Sequence, residues 1–182
     1  MTRIALISNS VHADWRFQAQ LSNRTFKYLH GHFIPRFLVR SSVISPSFLN
    51  EMETFAGTLE GRTTVILMLG EQDRYMCAQP QAIADRIAEA ISTILKAKEG
   101  KFNFIIGGLV PPFDQSMKME YAEVDRHIKK MIRNHPARRK IVFSNLAQAV
   151  EDKLFYKKMY TLKDSGVIEV VEKLMVLLNK IG

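Results

Sequence analysis

Five short apolar runs in the chain have the pattern of buried strands. The three longer ones are bounded by turn-forming residues and lack the polar–apolar alternation of a half-exposed strand, which is typical of a parallel sheet covered on both faces; the other two are shorter candidates. The five candidates are Ile4–Ile7, Val65–Leu69, Phe104–Ile106 (extended to Val110), Phe37–Val39 and Ile141–Phe143.

Amphipathic helical patterns lie between and after the later strands. Apolar residues recur every three or four positions in Ile83–Leu95, Tyr121–Ile132 and Val167–Leu178, a spacing that places them on one helix face. The alternation of strands and helices predicts a three-layer α/β/α sandwich around a parallel, flavodoxin-like sheet. We expect one domain over residues 1–182.

This topology also predicts where a ligand binds. In open parallel sheets, ligands bind at the carboxyl ends of the strands. The loops expected to form a site are therefore 8–15, 70–77, 107–115 and 144–165.

The composition is that of a soluble globular protein, with 47% apolar and 24% charged residues. A single cysteine, Cys77, cannot form an intramolecular disulfide and suits a reducing compartment, so we predict a cytoplasmic location. The first apolar run is too short for a signal peptide, and we expect no transmembrane segment because no apolar stretch has the required length.

The positive charge is confined to the last third of the chain. Residues 1–125 contain 13 basic and 13 acidic residues, whereas residues 126–182 contain 13 basic and 5 acidic ones, which accounts for the whole net charge of +8. Such a concentration favours polyanions, either nucleic acid or an acidic membrane surface. The alternative interpretation is a solvated basic face that keeps the protein soluble.

Three segments at strand ends resemble the sequence blocks of SGNH (GDSL-type) hydrolases. Ser8-Asn9-Ser10 ends the first strand, Gly70–Asp73 follows the strand at Val65, and a proline-bearing loop follows the strand at Phe104. The resemblance implies an SGNH hydrolase-type sheet. It also implies that Ser10 occupies the nucleophile position and Gln72 the position of an oxyanion-binding Asn.

The C-terminal block of that family is missing, however. No Asp-x-x-His occurs in the chain, and no histidine follows His135. If Gly166 is the family glycine, the acid and base positions fall on Lys158 and Thr161, which cannot do that work. Because a serine hydroxyl needs a base to become nucleophilic, the sequence predicts a degenerate hydrolase in which Ser10 is vestigial and which is not an enzyme.

Other catalytic centres have little support in the sequence. His30-x-His32 is the only close histidine pair and has no cysteine or carboxylate at ligand spacing, so no metal site is predicted. Gly107-Gly108 lacks the rest of a dinucleotide fingerprint, and no phosphate-binding GxxxxGK[ST] segment is present. We therefore predict no cofactor.

Basic residues near the expected functional edge predict RNA binding, which needs several Lys or Arg side chains on one surface. Phe155, Tyr156 and Tyr160 lie among the lysines and could stack on unpaired bases, although packing onto the last helix explains each of them equally well. The predicted RNA-binding residues are Arg36, Arg40, Arg74, Arg138, Arg139, Lys140, Lys153, Lys157 and Lys158.

An SGNH-like arrangement, an absent Asp-x-x-His and a basic surface together resemble the OSK-domain family, the C-terminal domain of the insect germ-plasm protein Oskar. This resemblance implies binding of messenger RNA at untranslated regions, with protein partners in cytoplasmic ribonucleoprotein granules. Two alternatives remain open. One is a serine esterase or lipase that uses Ser10 with a non-standard base such as His12; the other is a scaffold whose basic face binds acidic partners or membrane.

Overall fold

The computed structural model describes residues 3–38, 42–97 and 101–181, without the side chains of residues 35–38. Its strands are β1 (Arg3–Ser8), β2 (His32–Leu38), β3 (Thr63–Met68), β4 (Phe102–Gly107), β5 (Ile141–Ser144), β6 (Tyr156–Lys158) and β7 (Thr161–Leu162). Its helices are α1 (Trp15–Leu29), α2 (Phe48–Thr58), α3 (Glu71–Tyr75), α4 (Pro80–Ala97), α5 (Gln115–Asn134) and α6 (Asp164–Ile181). Short 3-10 turns occupy Arg138–Lys140, Ala147–Val150 and Lys153–Phe155.

The main sheet has five parallel strands in the order β2-β1-β3-β4-β5. At its carboxyl edge Ser8 pairs with Met68, and Gly107 pairs with Ser144. The ends of β1, β3, β4 and β5 therefore meet along one edge. This order confirms the prediction of a parallel, flavodoxin-like α/β/α sandwich.

Each face of the sheet is covered by a separate hydrophobic core. In β1, Ala5 and Ile7 belong to the core shared with α2, α4 and α5, whereas Ile4 and Leu6 belong to the core shared with α1 and α6. Successive side chains of a strand point to opposite faces. Because both faces are covered, β1 is apolar at each of residues 4–7 instead of alternating.

β2 is longer than the predicted Phe37–Val39 strand, since it begins at His32; Val39 itself lies outside the described residues. Pro35 interrupts the apolar pattern, and the pairing of β2 with β1 shifts register between Ala5 and Ile7. A proline is tolerated here because β2 is an edge strand.

β4 ends at Gly107, not at the predicted Val110. The chain turns at Gly108, whose N–H donates to Ser144 O at 2.8 Å. A Cβ atom on Gly108 would lie 2.7 Å from Phe143 and 2.8 Å from Asp125, so a larger residue would not fit without a shift. The apolar residues Leu109 and Val110 therefore line the edge of the sheet and do not extend the strand.

The segment 144–165, predicted as a loop, contains the small β6–β7 hairpin. Its inward-facing residues, Tyr156 and Leu162, pair with one another and are buried in the core under α6. Two strands of three and two residues are too short to produce a recognisable periodicity. Within the described part of the chain, no helix has the length and apolarity needed to cross a membrane.

Candidate active site

Ser10 is held at the carboxyl edge of the sheet by the end of β1. Its N–H donates to Ser8 Oγ at 2.9 Å, and Ser8 Oγ in turn donates to Met68 O at 3.1 Å. Four residues after Ser10, Asp14 caps α1 by accepting hydrogen bonds from the N–H groups of the first turn of that helix. The backbone around Ser10 is thus fixed to β3 on one side and to α1 on the other.

The Ser10 hydroxyl donates a hydrogen bond to a buried carboxylate. Its Oγ lies 2.8 Å from Glu71 Oε2, and it also accepts the His12 N–H at 3.1 Å. His12 Nε2 lies 3.6 Å from the other carboxylate oxygen of Glu71. Ser10, His12 and Glu71 are all buried. A nucleophile and a possible base therefore lie within hydrogen-bond reach, as covalent catalysis requires.

The position of Glu71 follows from the turn after β3. Gly70 has a φ of +100°, which favours glycine, and a Cβ atom there would lie 2.6 Å from Ile83. This turn starts α3 at Glu71. Because β1 and β3 are adjacent and in register, the first residue of α3 lies beside the loop that follows β1.

Burial raises the pKa of the Glu71 carboxyl above its ordinary value. The neighbouring His12, the Ser10 hydroxyl and the backbone N–H groups of Val11 and Val110 counteract part of this effect. A carboxylate with a raised pKa is a stronger base than an exposed glutamate. Such tuning is common among catalytic acids and bases.

Behind the serine, Asn9 and Asp73 join three loops. Asn9 Nδ2 donates to Asp73 Oδ2 at 2.9 Å, and Asn9 Oδ1 accepts the Gly70 N–H at 3.3 Å. The other oxygen of Asp73 accepts the Val43 N–H at 2.8 Å. This network connects the segments after β1, β2 and β3, which carry Ser10 and Glu71.

An open cleft of about 350 Å³ lies beside these residues. Glu71 borders both the cleft and a small space next to Ser10, whereas Ser10 itself is 4% exposed. A substrate in the cleft therefore meets Glu71 first. The cleft is lined by Asn9, Val11, His12, Glu71, Gln72, Tyr75, Val110, Pro112, Tyr121 and Tyr160.

The buried tyrosines near the cleft remain protonated at neutral pH. Burial and the Glu71 charge raise the pKa of Tyr156 to about 12 and raise that of Tyr121 as well. The Tyr156 hydroxyl donates to Pro111 O at 2.9 Å. These hydroxyls are therefore hydrogen-bond donors, which leaves Glu71 and His12 as the candidate bases next to Ser10.

The structure brings together only part of the predicted catalytic set. Gln72 lines the cleft, and the buried Ser10 contacts Glu71 at its border. Lys158 and Thr161, by contrast, are exposed and pair with each other in the β6–β7 hairpin. Sequence reasoning missed Glu71 because it occupies the variable position of the Gly-x-Asn-Asp block. The sequence signal that could have identified it is an acidic residue, Glu71, shortly after the end of β3, the strand that pairs with β1.

The structure separates the predicted RNA-binding residues into groups. One group, Arg138–Lys140, precedes β5 and lies towards the amino ends of the strands. The other, Lys153–Lys158, follows β5 and lies towards the carboxyl ends. Arg74 forms an ion pair with Glu120. The side chain of Arg36 and all of Arg40 lie outside the described residues. RNA binding stays a prediction.

The closely spaced histidines have backbone roles. His30 adopts a left-handed conformation as the C-cap residue of α1, and His32 begins β2. In the ranges that the structure describes, no three His, Cys, Asp or Glu side chains form a group that could hold a metal ion.

The same fold is found in solved structures of lipolytic proteins and esterases. A member of the lipolytic protein G-D-S-L family from Veillonella parvula is 14% identical, with a TM-score of 0.74 over 99% of this chain and 100% of that one. An aryl esterase from M. smegmatis is 12% identical, with a TM-score of 0.74 over 100% of both chains. A carbohydrate acetylesterase from Sinorhizobium meliloti is 11% identical, with a TM-score of 0.67 over 100% of this chain and 99% of that one. No protein-family model and no curated protein matches the sequence.

These matches confirm the SGNH hydrolase-type fold, and they contradict the prediction that the chain is not an enzyme. The three solved structures are of a lipolytic family member and two esterases. The prediction was wrong because it looked for a base only at the C-terminal block, whereas Glu71 approaches Ser10 from α3. The matches do not bear on the OSK-domain resemblance, germ granules or messenger RNA, which stay predictions.

Asp125 on α5 is a further buried acid at the carboxyl edge, besides Glu71 and Asp73. Its Oδ1 accepts the Leu109 N–H at 3.0 Å. Burial raises its pKa from 3.8 to about 7, against the opposing effects of that N–H and of Lys129. The folded protein therefore holds this proton more tightly than the unfolded chain. The contribution of Asp125 to stability is most favourable below about pH 4 and falls as the pH rises towards 7.

We expect Asp125→Asn to weaken this pH dependence. The asparagine keeps an oxygen for the Leu109 N–H and removes a buried charge, so the variant should gain on the order of 2–4 kcal/mol relative to wild type between pH 5 and pH 8. Denaturant unfolding at both pH values measures the difference. Asp114→Asn is the control that should leave this difference unchanged, because Asp114 caps α5 and its hydrogen bonds with Ser116 and Met117 lower its pKa, so that it is ionised at both pH values. Identical pH dependence in wild type and Asp125→Asn would contradict the assignment.

Proposed function

We propose that the chain hydrolyses esters of small carboxylic acids, with Ser10 as the nucleophile and Glu71 as the general base. The observation that carries this proposal is the 2.8 Å hydrogen bond from Ser10 Oγ to Glu71 Oε2 at the carboxyl edge of the sheet. In this position the carboxylate can remove the hydroxyl proton directly, without a histidine between them.

The reaction proceeds in two balanced steps. Glu71 accepts the Ser10 proton as Oγ bonds to the acyl carbon, and the departing alcohol oxygen takes that proton back when the ester bond breaks. Water then attacks the acyl-enzyme with Glu71 again as base, which releases the carboxylic acid and restores the Ser10 hydroxyl. His12 contributes its N–H to Ser10 Oγ at 3.1 Å and its ring to the Glu71 carboxylate.

The surroundings of Ser10 favour a short acyl group. With Ser10 only 4% exposed and Glu71 at the border of the cleft, a compact group such as acetyl can reach Oγ more easily than a long chain. The Gln72 side chain, which lines the cleft, supplies an amide donor to the developing oxyanion. The more open part of the cleft, next to Tyr75 and Tyr160, accommodates the alcohol portion.

The fold comparisons support this proposal. The similar structures include an aryl esterase and a carbohydrate acetylesterase, and the similarity to each covers essentially the whole chain. The proposal agrees with the alternative interpretation of the sequence, a serine esterase with a non-standard base. It identifies that base as Glu71.

A serine-reactive fluorophosphonate probe tests the proposal directly. We expect one covalent adduct per chain, located on Ser10 by peptide mass spectrometry, together with steady release of p-nitrophenol from p-nitrophenyl acetate. Prior incubation with the probe should abolish that release. An unlabelled Ser10 in a folded protein that also fails to hydrolyse the ester would refute the proposal.

A further inference from the structure

A second cavity lies next to the cleft and is lined by three lysines. This lysine pocket has a volume of about 270 Å³ and is formed by Phe113, Lys153, Tyr156, Lys157, Lys158 and Met159. Pro112 and Tyr160 of the cleft are the chain neighbours of Phe113 and Met159 in the pocket. Because the Phe113 N–H donates to Met159 O at 2.7 Å, the two cavities lie side by side across that bond.

Within the described residues, the pocket lysines form no ion pairs. Among residues 3–38, 42–97 and 101–181, no acidic side chain forms a salt bridge with Lys153, Lys157 or Lys158. Asp152, which is adjacent in sequence, uses its Oδ1 to accept the Leu154 N–H at 2.8 Å. Three exposed cations border one small cavity whose lining contains no acidic side chain, and they outnumber the two acids next to them in sequence, Glu151 and Asp152, so the local field favours an anion.

The walls of the pocket are held in place. The buried Tyr156 is fixed by the hydrogen bond from its hydroxyl to Pro111 O, and its ring lies 5.6 Å from that of Phe113. Lys118 Nζ lies 4.2 Å from the centre of the Phe113 ring and adds a fourth cation close by. The β6–β7 hairpin therefore presents its lysines from a fixed base.

We propose that the lysine pocket binds a phosphate group carried by the ester substrate, so that the enzyme prefers phosphorylated esters over neutral ones. This inference rests on the proposed function. At about 270 Å³ the pocket is smaller than a typical site for a whole drug-sized ligand, which is about 300–1,000 Å³. It therefore suits one portion of a substrate whose ester group occupies the neighbouring cleft.

The arrangement of charge favours a small phosphorylated ester over a polynucleotide. A nucleic acid needs cations along a track that follows several phosphates. Another exposed basic trio, Arg138–Lys140, precedes β5 and so lies at the opposite end of the strands, and Arg74 is paired with Glu120. In the described part of the chain, the pocket lysines border one cavity beside the cleft with no acidic side chain in its lining, whereas the cavity lined by Lys118 and Lys129 also contains Asp125 and Glu151.

Two matched esters and two matched variants test this inference. The substrates are 4-acetoxyphenyl phosphate and the uncharged 4-methoxyphenyl acetate. The pocket variant carries Lys153→Gln, Lys157→Gln and Lys158→Gln; the control carries Arg138→Gln, Arg139→Gln and Lys140→Gln, with the same change in net charge. In wild type and control, we expect kcat/KM to be at least about tenfold higher for the phosphorylated ester than for the neutral one, because the neutral ester cannot form charge-assisted hydrogen bonds with the lysines. The pocket variant should lose this preference and keep its rate on the neutral ester.

Binding of phenyl phosphate, measured by calorimetry, separates the inference from the proposed function. Phenyl phosphate binding that is present in wild type and control and lost in the pocket variant would support the phosphate site, whether or not the esters are hydrolysed. Such binding without hydrolysis of either ester would refute the esterase proposal and leave the phosphate site supported. Equal kcat/KM for both esters would overturn the inference and leave the esterase intact. Tight binding of single-stranded RNA that both triple variants weaken equally would also overturn it, in favour of a diffuse polyanion surface.

Discussion

Ser10→Ala is expected to reduce kcat for p-nitrophenyl acetate by about 10³-fold or more, because removing a serine nucleophile eliminates the covalent route. The fluorophosphonate adduct should disappear as well. The substitution removes the hydroxyl that donates to Glu71 Oε2 and accepts the His12 N–H. Initial rates and intact-protein mass spectrometry at saturating probe measure both effects.

Ser144→Ala is the matched control for that substitution. Ser144 is another buried serine at the carboxyl end of a strand, and its Oγ has no hydrogen-bond partner within the described residues. We expect this variant to keep wild-type activity and labelling. Circular dichroism should show that both variants are folded, since the loss of a hydrogen bond to a charged group costs only about 1.5–3 kcal/mol. If Ser10→Ala retained most of its activity, Glu71 would instead activate water directly and Ser10 would not be the nucleophile.

Glu71→Gln is expected to lower kcat by about 10²–10⁴-fold, the usual contribution of a general base. A glutamine has nearly the same shape and can still accept the hydrogen bond of Ser10 Oγ, but it cannot take the proton. In the wild type, kcat/KM should rise with pH as the Glu71 carboxyl ionises, above the usual titration range of a glutamate because burial raises its pKa. This rise should be missing from the residual activity of the variant.

The stability of Glu71→Gln distinguishes loss of a base from loss of structure. Because the folded-state pKa of Glu71 is raised, its charged form is disfavoured by folding, and that penalty grows as the pH rises through the carboxyl titration. We therefore expect an unchanged or higher unfolding midpoint at pH 8 together with the loss of activity. Glu120→Gln, which affects an exposed glutamate paired with Arg74, is the control that should keep its activity.

The competing assignment makes His12 the base. In that case His12→Gln would abolish activity and Glu71→Gln would have only a small effect. The structure favours the reverse order, because the Ser10 hydroxyl contacts the Glu71 carboxylate whereas only the backbone N–H of His12 reaches Ser10. Comparing the two single variants at one pH decides between these assignments.

The strands and helices that could be predicted from the sequence are those with the most uniform burial. β1, β3 and α4 have uninterrupted apolar or amphipathic patterns, and the structure confirms them to within a few residues. The predicted β2 was too short because Pro35 interrupts its apolar pattern. The β6–β7 hairpin was not predicted because its strands span only three and two residues. Local periodicity is informative only where a segment is long enough to repeat.

The sequence by itself determined the parallel α/β architecture, the position of Ser10 at the end of β1 and the absence of the family's C-terminal histidine block. Only the tertiary structure decided which group contacts that serine. Glu71 is 61 residues away from Ser10 in the chain. The contact depends on β3 pairing with β1 in a register that places Met68 opposite Ser8, and on the turn at Gly70 that starts α3. Strand order and register depend on the burial of both sheet faces at once, so no local pattern in the sequence specifies this pair.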